Sequence, residues 1–145
     1  MDLTAAACAG FLLAVLWMDL IFDSQVLPHR SAPQVPDPVL ASIAGYYGRA
    51  TTTKMNLVIA VVMVVLLVVL GVRWSEEPAL SLLIPSALAA APIVLAAVHT
   101  VPAARRLGSR VDDALGQTRL ARAICRDHLL CLASMSAFLV VWVAR

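Results

Sequence analysis

Asp19, Asp23, Asn56, His99, Asp127 and His128 stand at the ends of long apolar runs. Carboxylates and imidazoles are the groups that move protons and the groups that ligate metals. Asp19 and Asp23 share one helix face through their i, i+4 spacing. Arg126, Asp127 and His128 are consecutive, so about 100° separates neighbours around a helix and at most two face one way. Asp127 or His128 is expected to turn inward, with Arg126 snorkelling outward.

Three chemistries fit such a set. In the first, Asp19, His99 and His128 hold a metal of the iron, zinc or manganese type. The spacing carries no local signature of that use, neither H-x-x-H nor H-E-x-x-H. Haem is a variant of this reading, with His99 and His128 at suitable depth and His29 in a proline-rich stretch. In the second, a small amphipathic molecule enters from the lipid. Asp19, His99, Asp127 or His128 then acts on it as acid or base. Asp23, Asn56 and Tyr47 contact it, and Arg105, Arg106 or Arg126 holds an anionic group. In the third, the same residues only pair with one another and close one end of a bundle. Whether the site binds or catalyses is open at this level.

The elements that position these residues are apolar runs at 3–22, 55–73, 79–101 and 122–144. Each approaches or exceeds the roughly 20 residues that cross a bilayer as a helix. In the last run only 129–144 is apolar, so that helix is expected to begin outside the lipid. With 61% hydrophobic and 14% charged residues, the chain of 145 reads as one membrane domain. The expected fold is an all-α, four-span up-down bundle. Nine of the eleven Lys and Arg residues fall in the connections 23–54 and 102–121 or just beyond, at Arg122 and Arg126. Short loops rich in Lys and Arg stay on the cytoplasmic side, so both termini are expected outside. The first run has no positively charged start and no small-x-small site after Phe22, so it reads as a span and not a leader. That order brings the six polar groups to one level near the inner boundary. A titratable group within lipid is a functional-site hypothesis by default.

Further detail is expected along the chain. Ala6, Gly10 and Ala14 form a small-residue face on the first span, and Ala133 and Ala137 another on the last. After Pro28, Pro33, Pro36 and Pro38, the residues Val39, Leu40, Ile43, Tyr46 and Tyr47 recur at helical spacing. They predict a short amphipathic helix over 38–47 lying in the interface, with Gly48 near its stop. Tyrosines there read as headgroup anchors, as do Trp74 and Trp142 at the other face. Ser75-Glu76-Glu77-Pro78 predicts a tight hairpin. Pro85 and Pro92 free the carbonyls of Ser81 and Leu88, which need a donor from elsewhere. Pro102 opens the second connection, Ser109-x-x-Asp112 is a capping box followed by one or two turns that stop at Gly116, and Thr118 caps the last helix. Arg119, Arg122 and Arg126 form a basic surface stripe suited to headgroups.

Cys8, Cys125 and Cys131 include no C-x-x-C, so thiol–disulfide chemistry has no reagent and the cysteines read as small buried hydrophobes. Few polar groups line the middle of the spans, which argues against a channel or porter. The expected setting is a bacterial plasma membrane, with the lipid bilayer as partner and no nucleic acid. A homo-oligomer or a larger complex docked through the arginine-bearing connections is the alternative to a ligand site.

Overall fold

The computed structural model describes residues 3–76 and 80–145, and all regular structure among them is helical. Six α-helices run in order: α1 Leu3–Asp23, α2 Asp37–Ala50, α3 Lys54–Glu76, α4 Leu83–Leu95, α5 Val101–Ser109 and α6 Ala114–Val143. A 3-10 turn, Ser24–His29, follows α1. A π segment, Ala96–Thr100, joins α4 to α5, so Leu80–Ser109 is one 30-residue helical rod. Four helical stretches are therefore long and apolar enough to cross a membrane. The Ser75–Pro78 hairpin and the start of the third apolar run fall partly outside the described residues.

The four long stretches pack as a ring of neighbours: α1 on α6 and α3, α4 on α6 and α3. Hydrogen bonds report their directions. Trp74 Nε1, near the end of α3, donates to Ser86 Oγ in the first turns of α4 at 2.8 Å. Arg145, just past α6, reaches Ser81 Oγ at 3.1 Å. Chain neighbours α3 and α4 thus run antiparallel, as do α4 and α6.

One core fills this bundle. It joins Ala5, Ala9 and Leu12 of α1, Leu66 and Leu70 of α3, Ala89 and Ile93 of α4, and Met135, Phe138 and Trp142 of α6. The close face of α1 is therefore Ala5–Ala9–Leu12, whereas the expected Gly10 and Ala14 are exposed. Ala133 is likewise exposed, because the α6 face turned to its neighbours runs through Cys131, Met135 and Phe138. Trp142 is no interface anchor: it is 5% exposed and stacks on Phe138.

The proline expectations divide. Leu88 O, freed by Pro92, accepts from Ser134 Oγ of α6 at 2.8 Å. Pro85 lies in the first turn of α4, where no intrahelical N–H is required. Pro102 does not end the rod. It takes the second position of α5, and the π segment before it lets Val101 N–H reach Ala96 O. The wider turn absorbs the missing donor, and the helix continues.

A second core departs from the expectation that the 38–47 helix lies in the interface. Leu40, Ile43, Ala44 and Tyr47 of α2 meet Ala103, Ala104 and Leu107 of α5 and Ala121, Ile124 and Cys125 of α6. Helix α2 thus lays its apolar face on protein, and it continues past Gly48 to Ala50. Gly48 and Gly108 are the crossing point: a Cβ on Gly108 would lie 2.7 Å from Gly48 N. Two glycines let the backbones meet.

Other corrections concern the start of α6. Arg110 adopts the left-handed conformation (φ 51°) and stops α5. Asp113 is the cap, accepting from Gly116 N–H at 2.8 Å. Ser109 bonds back to Arg106 O, so the expected capping box does not form. Thr118 lies inside α6, where its hydroxyl donates to Ala114 O and accepts from Val35 N–H. Arg122 turns inward: one of its guanidinium nitrogens donates to His29 O and Ala32 O, at 2.8 and 2.6 Å. These bonds hold the proline-rich segment against α6.

Candidate functional site

Where the two cores meet, α1, α2 and α6 bring five polar side chains together. Asp23, the last residue of α1, is fully buried. One of its oxygens accepts from Tyr47 OH at 2.7 Å, and the other faces His128 Nδ1 at 2.6 Å. One turn back, Asp19 accepts from Tyr46 OH at 2.6 Å and lies 3.7 Å from His128 Nε2. Tyr47 OH also lies 3.3 Å from His128 Nδ1. Phe22 stacks on the Tyr46 ring at 4.1 Å between centroids and steadies it. His128 thus sits between two carboxylates, each also held by a phenol. A buried carboxylate is costly without partners, and these partners supply the missing hydrogen bonds.

The environment holds both tyrosines in the neutral form. Burial, the hydrogen bond to Asp19 and the two carboxylate charges push the Tyr46 phenol above its ordinary range. Burial and the charges of Asp23 and Asp19 do the same, more strongly, at Tyr47. Each phenol therefore remains a hydrogen-bond donor to its carboxylate.

A second pair lies on the neighbouring helices. His99, in the π segment, faces Asp127 at 2.5 Å. Asp127 is 1% exposed and also accepts from Thr100 Oγ1 at 3.2 Å and Arg126 at 3.3 Å. Asp127 and His128 thus both turn inward, onto different partners, while Arg126 extends outward with a side chain 69% exposed.

The first cluster opens onto a cavity of about 110 Å³ inside the bundle. Asp19, Tyr47, Asn56, Thr100 and His128 mark its polar end, and Leu12, Met63, Ile93 and Met135 its apolar walls. The cavity's volume is somewhat less than the ~150 Å³ of an apolar cavity that admits benzene. The arrangement suits a molecule with an apolar body and one polar end.

Of the residues singled out from the sequence, Asp19, Asp23, Tyr47 and His128 meet in one network, and Asn56 joins them at the cavity. His99 and Asp127 form a separate pair. Arg105 and Arg106 do not reach the cavity. Arg105 is exposed, and Arg106 makes a two-pronged bond to Asp112 at 2.6 and 2.7 Å. The Arg106 guanidinium holds the Asp112 carboxyl below its usual range. Asp37 is likewise taken by Arg110. Among the described residues, no three His, Cys, Asp or Glu side chains are grouped to hold a metal. His99, required beside Asp19 and His128 in that reading, faces Asp127 instead. Cys8, Cys125 and Cys131 are buried thiols.

Tyr46 is the member the sequence reading left out. Its signal was adjacency to Tyr47 at the level of two carboxylates, a setting in which a phenol is a donor as readily as an anchor. Comparison with protein-family models, curated proteins and solved structures finds no match to the chain.

Proposed function

We propose that this protein crosses a bacterial plasma membrane four times and binds a small amphipathic molecule in the cavity between its spans. Both termini lie outside and the two arginine-bearing connections inside. The support for that orientation is the placement of nine of eleven Lys and Arg residues on one side. The observation that carries the ligand reading is an apolar cavity closed at one end by the Asp19–Asp23–His128–Tyr46–Tyr47 cluster.

The chemistry of that end selects the ligand. Two carboxylates and one imidazole favour a polar group that donates hydrogen bonds, a hydroxyl or an amine. An anionic head is disfavoured, because Arg105 and Arg106 point elsewhere. His128, between two carboxylates, is suited to exchange a proton with a bound hydroxyl or amine. Catalysis needs a co-reactant beyond these residues, so the reading is held at binding and proton exchange.

The test is extraction of the protein purified in mild detergent, followed by mass spectrometry of the extract. The expected result is one small neutral or cationic amphiphile in near-stoichiometric amount, absent from Ala96→Phe, which fills the cavity from the π segment. An extract identical for both proteins overturns the reading. The second reading, a subunit of a larger assembly docked through the arginine-bearing connections, rests on the exposed Arg49, Arg105 and Arg119. It predicts an empty extract and a protein that loses stability when separated from its complex.

A further inference from the structure

The opposite face of α6 carries a different cleft, of about 410 Å³, where the basic part of the helix gives way to its apolar part. Its walls combine Arg30, Arg122 and Arg126 with Leu27, Leu129 and Leu130. The three leucines are 45–57% exposed. Arg30 comes from the end of the turn after α1, so two segments far apart in sequence converge there. Arg122 Nε is buried with no hydrogen-bond partner, although another nitrogen of the same guanidinium holds His29 O and Ala32 O. A buried donor without an acceptor is destabilising unless something outside the chain supplies one. Arg126 has one long bond, at 3.3 Å to Asp127, and is otherwise turned outward.

We infer that this cleft is a binding site for an anionic phospholipid. The phosphate bridges Arg30 and Arg126, beside the Arg122 guanidinium that lines the same cleft. An acyl chain runs along Leu27, Leu129 and Leu130. The cleft has three guanidinium groups and no carboxylate among its lining residues, so its charge complements a net-negative headgroup. Basic pockets between spans on the cytoplasmic side recognise such heads. The site lies on the face of α6 away from the internal cavity and does not depend on what fills that cavity.

The experiment uses the full chain, delipidated in mild detergent, and compares phosphatidylglycerol with phosphatidylcholine of the same acyl chains. The readouts are lipid retained in native mass spectrometry and the thermal midpoint. The expected result is about thirtyfold preference for phosphatidylglycerol, from roughly one kcal/mol for each of Arg30 and Arg126. The preference should fall to near unity in Arg30→Gln/Arg126→Gln. It should persist in Arg49→Gln/Arg105→Gln, which removes the same charge elsewhere. Equal retention of the two lipids overturns the inference in the wild-type protein alone, so a variant that fails to fold does not shield it. Equal loss of preference in both variants overturns it too. Inorganic phosphate is expected to raise the midpoint far less than phosphatidylglycerol. An equal rise would mean a free-phosphate site and would end the lipid reading.

Discussion

The two ends of the bundle are held by different physics. At one end Phe138, Trp142, Leu66 and Ala9 pack as hydrocarbon, and the polar groups present are local repairs. Ser134 answers the carbonyl freed by Pro92, and Trp74 finds Ser86. At the other end α2, α5 and the N-terminal part of α6 build a second small core, and between the cores sits a closed network of carboxylates, phenols and imidazole. Association within lipid relies on close packing and scattered hydrogen bonds, each worth little. The buried network is different, because removing one member strands the others.

That contrast orders the expected effects of mutation. Asp23→Ala should be the most damaging. It leaves His128 and Tyr47 buried without their carboxylate, at about 3–5 kcal/mol in unfolding free energy measured in detergent. A loss under 1 kcal/mol would place the two ends on the same footing. Gly108→Ala comes next. The added carbon meets the α2 backbone at Gly48 and should cost about 1–3 kcal/mol, read as a lower midpoint with α2 loosened in hydrogen exchange. Ser134→Ala, in the apolar half, should cost only ~0.6 kcal/mol. If it costs more than Gly108→Ala, the apolar half depends on polar repair more than its packing suggests.

A pH titration sharpens the same comparison without mutation. Both tyrosines of the chain lie in the polar half. Their phenols are raised in the folded state above the ordinary value of 10.0. Above pH 10 the unfolded chain releases those protons while the folded one retains them. The stabilisation is thus complete below pH 10 and declines as pH rises beyond it. Tyrosinate absorbance should appear together with unfolding. Its appearance in still-folded protein would mean that the phenols are open to solvent.

The apolar half was largely legible from sequence, because lipid-compatible runs are long and uninterrupted. Even the fate of Leu88 O could be framed in advance as a carbonyl needing a donor. Its small-residue face was misread because Ala5–Ala9 and Ala6–Gly10 have the same spacing, and only packing chooses between them. The shared level of Asp19, Asp23 and His128 was also legible, since position along a long helix fixes the level at which a side chain meets its neighbours. Their partners were not. Pairing of His99 with Asp127 depends on the π segment, which rotates the helix by an amount no local pattern encodes. Arg105 and Arg106 were assigned to a ligand by charge alone, and Asp112, six residues from Arg106, supplied a nearer partner. Ser109, Asp112, Asp113 and Thr118 are all able caps, and the left-handed Arg110 decides for Asp113. Helix α2 was legible as amphipathic, but the glycine pair that docks it joins positions 60 residues apart.

The measurement that bears most directly on this account is a double-mutant cycle between Asp23 and His128. Unfolding free energies of Asp23→Asn, His128→Gln and the double variant would be compared with the wild type in one detergent. A coupled network predicts an interaction of about 1–3 kcal/mol, with the double variant losing clearly less than the two single losses combined. Strict additivity would mean that the carboxylate and the imidazole act independently, and would contradict the account.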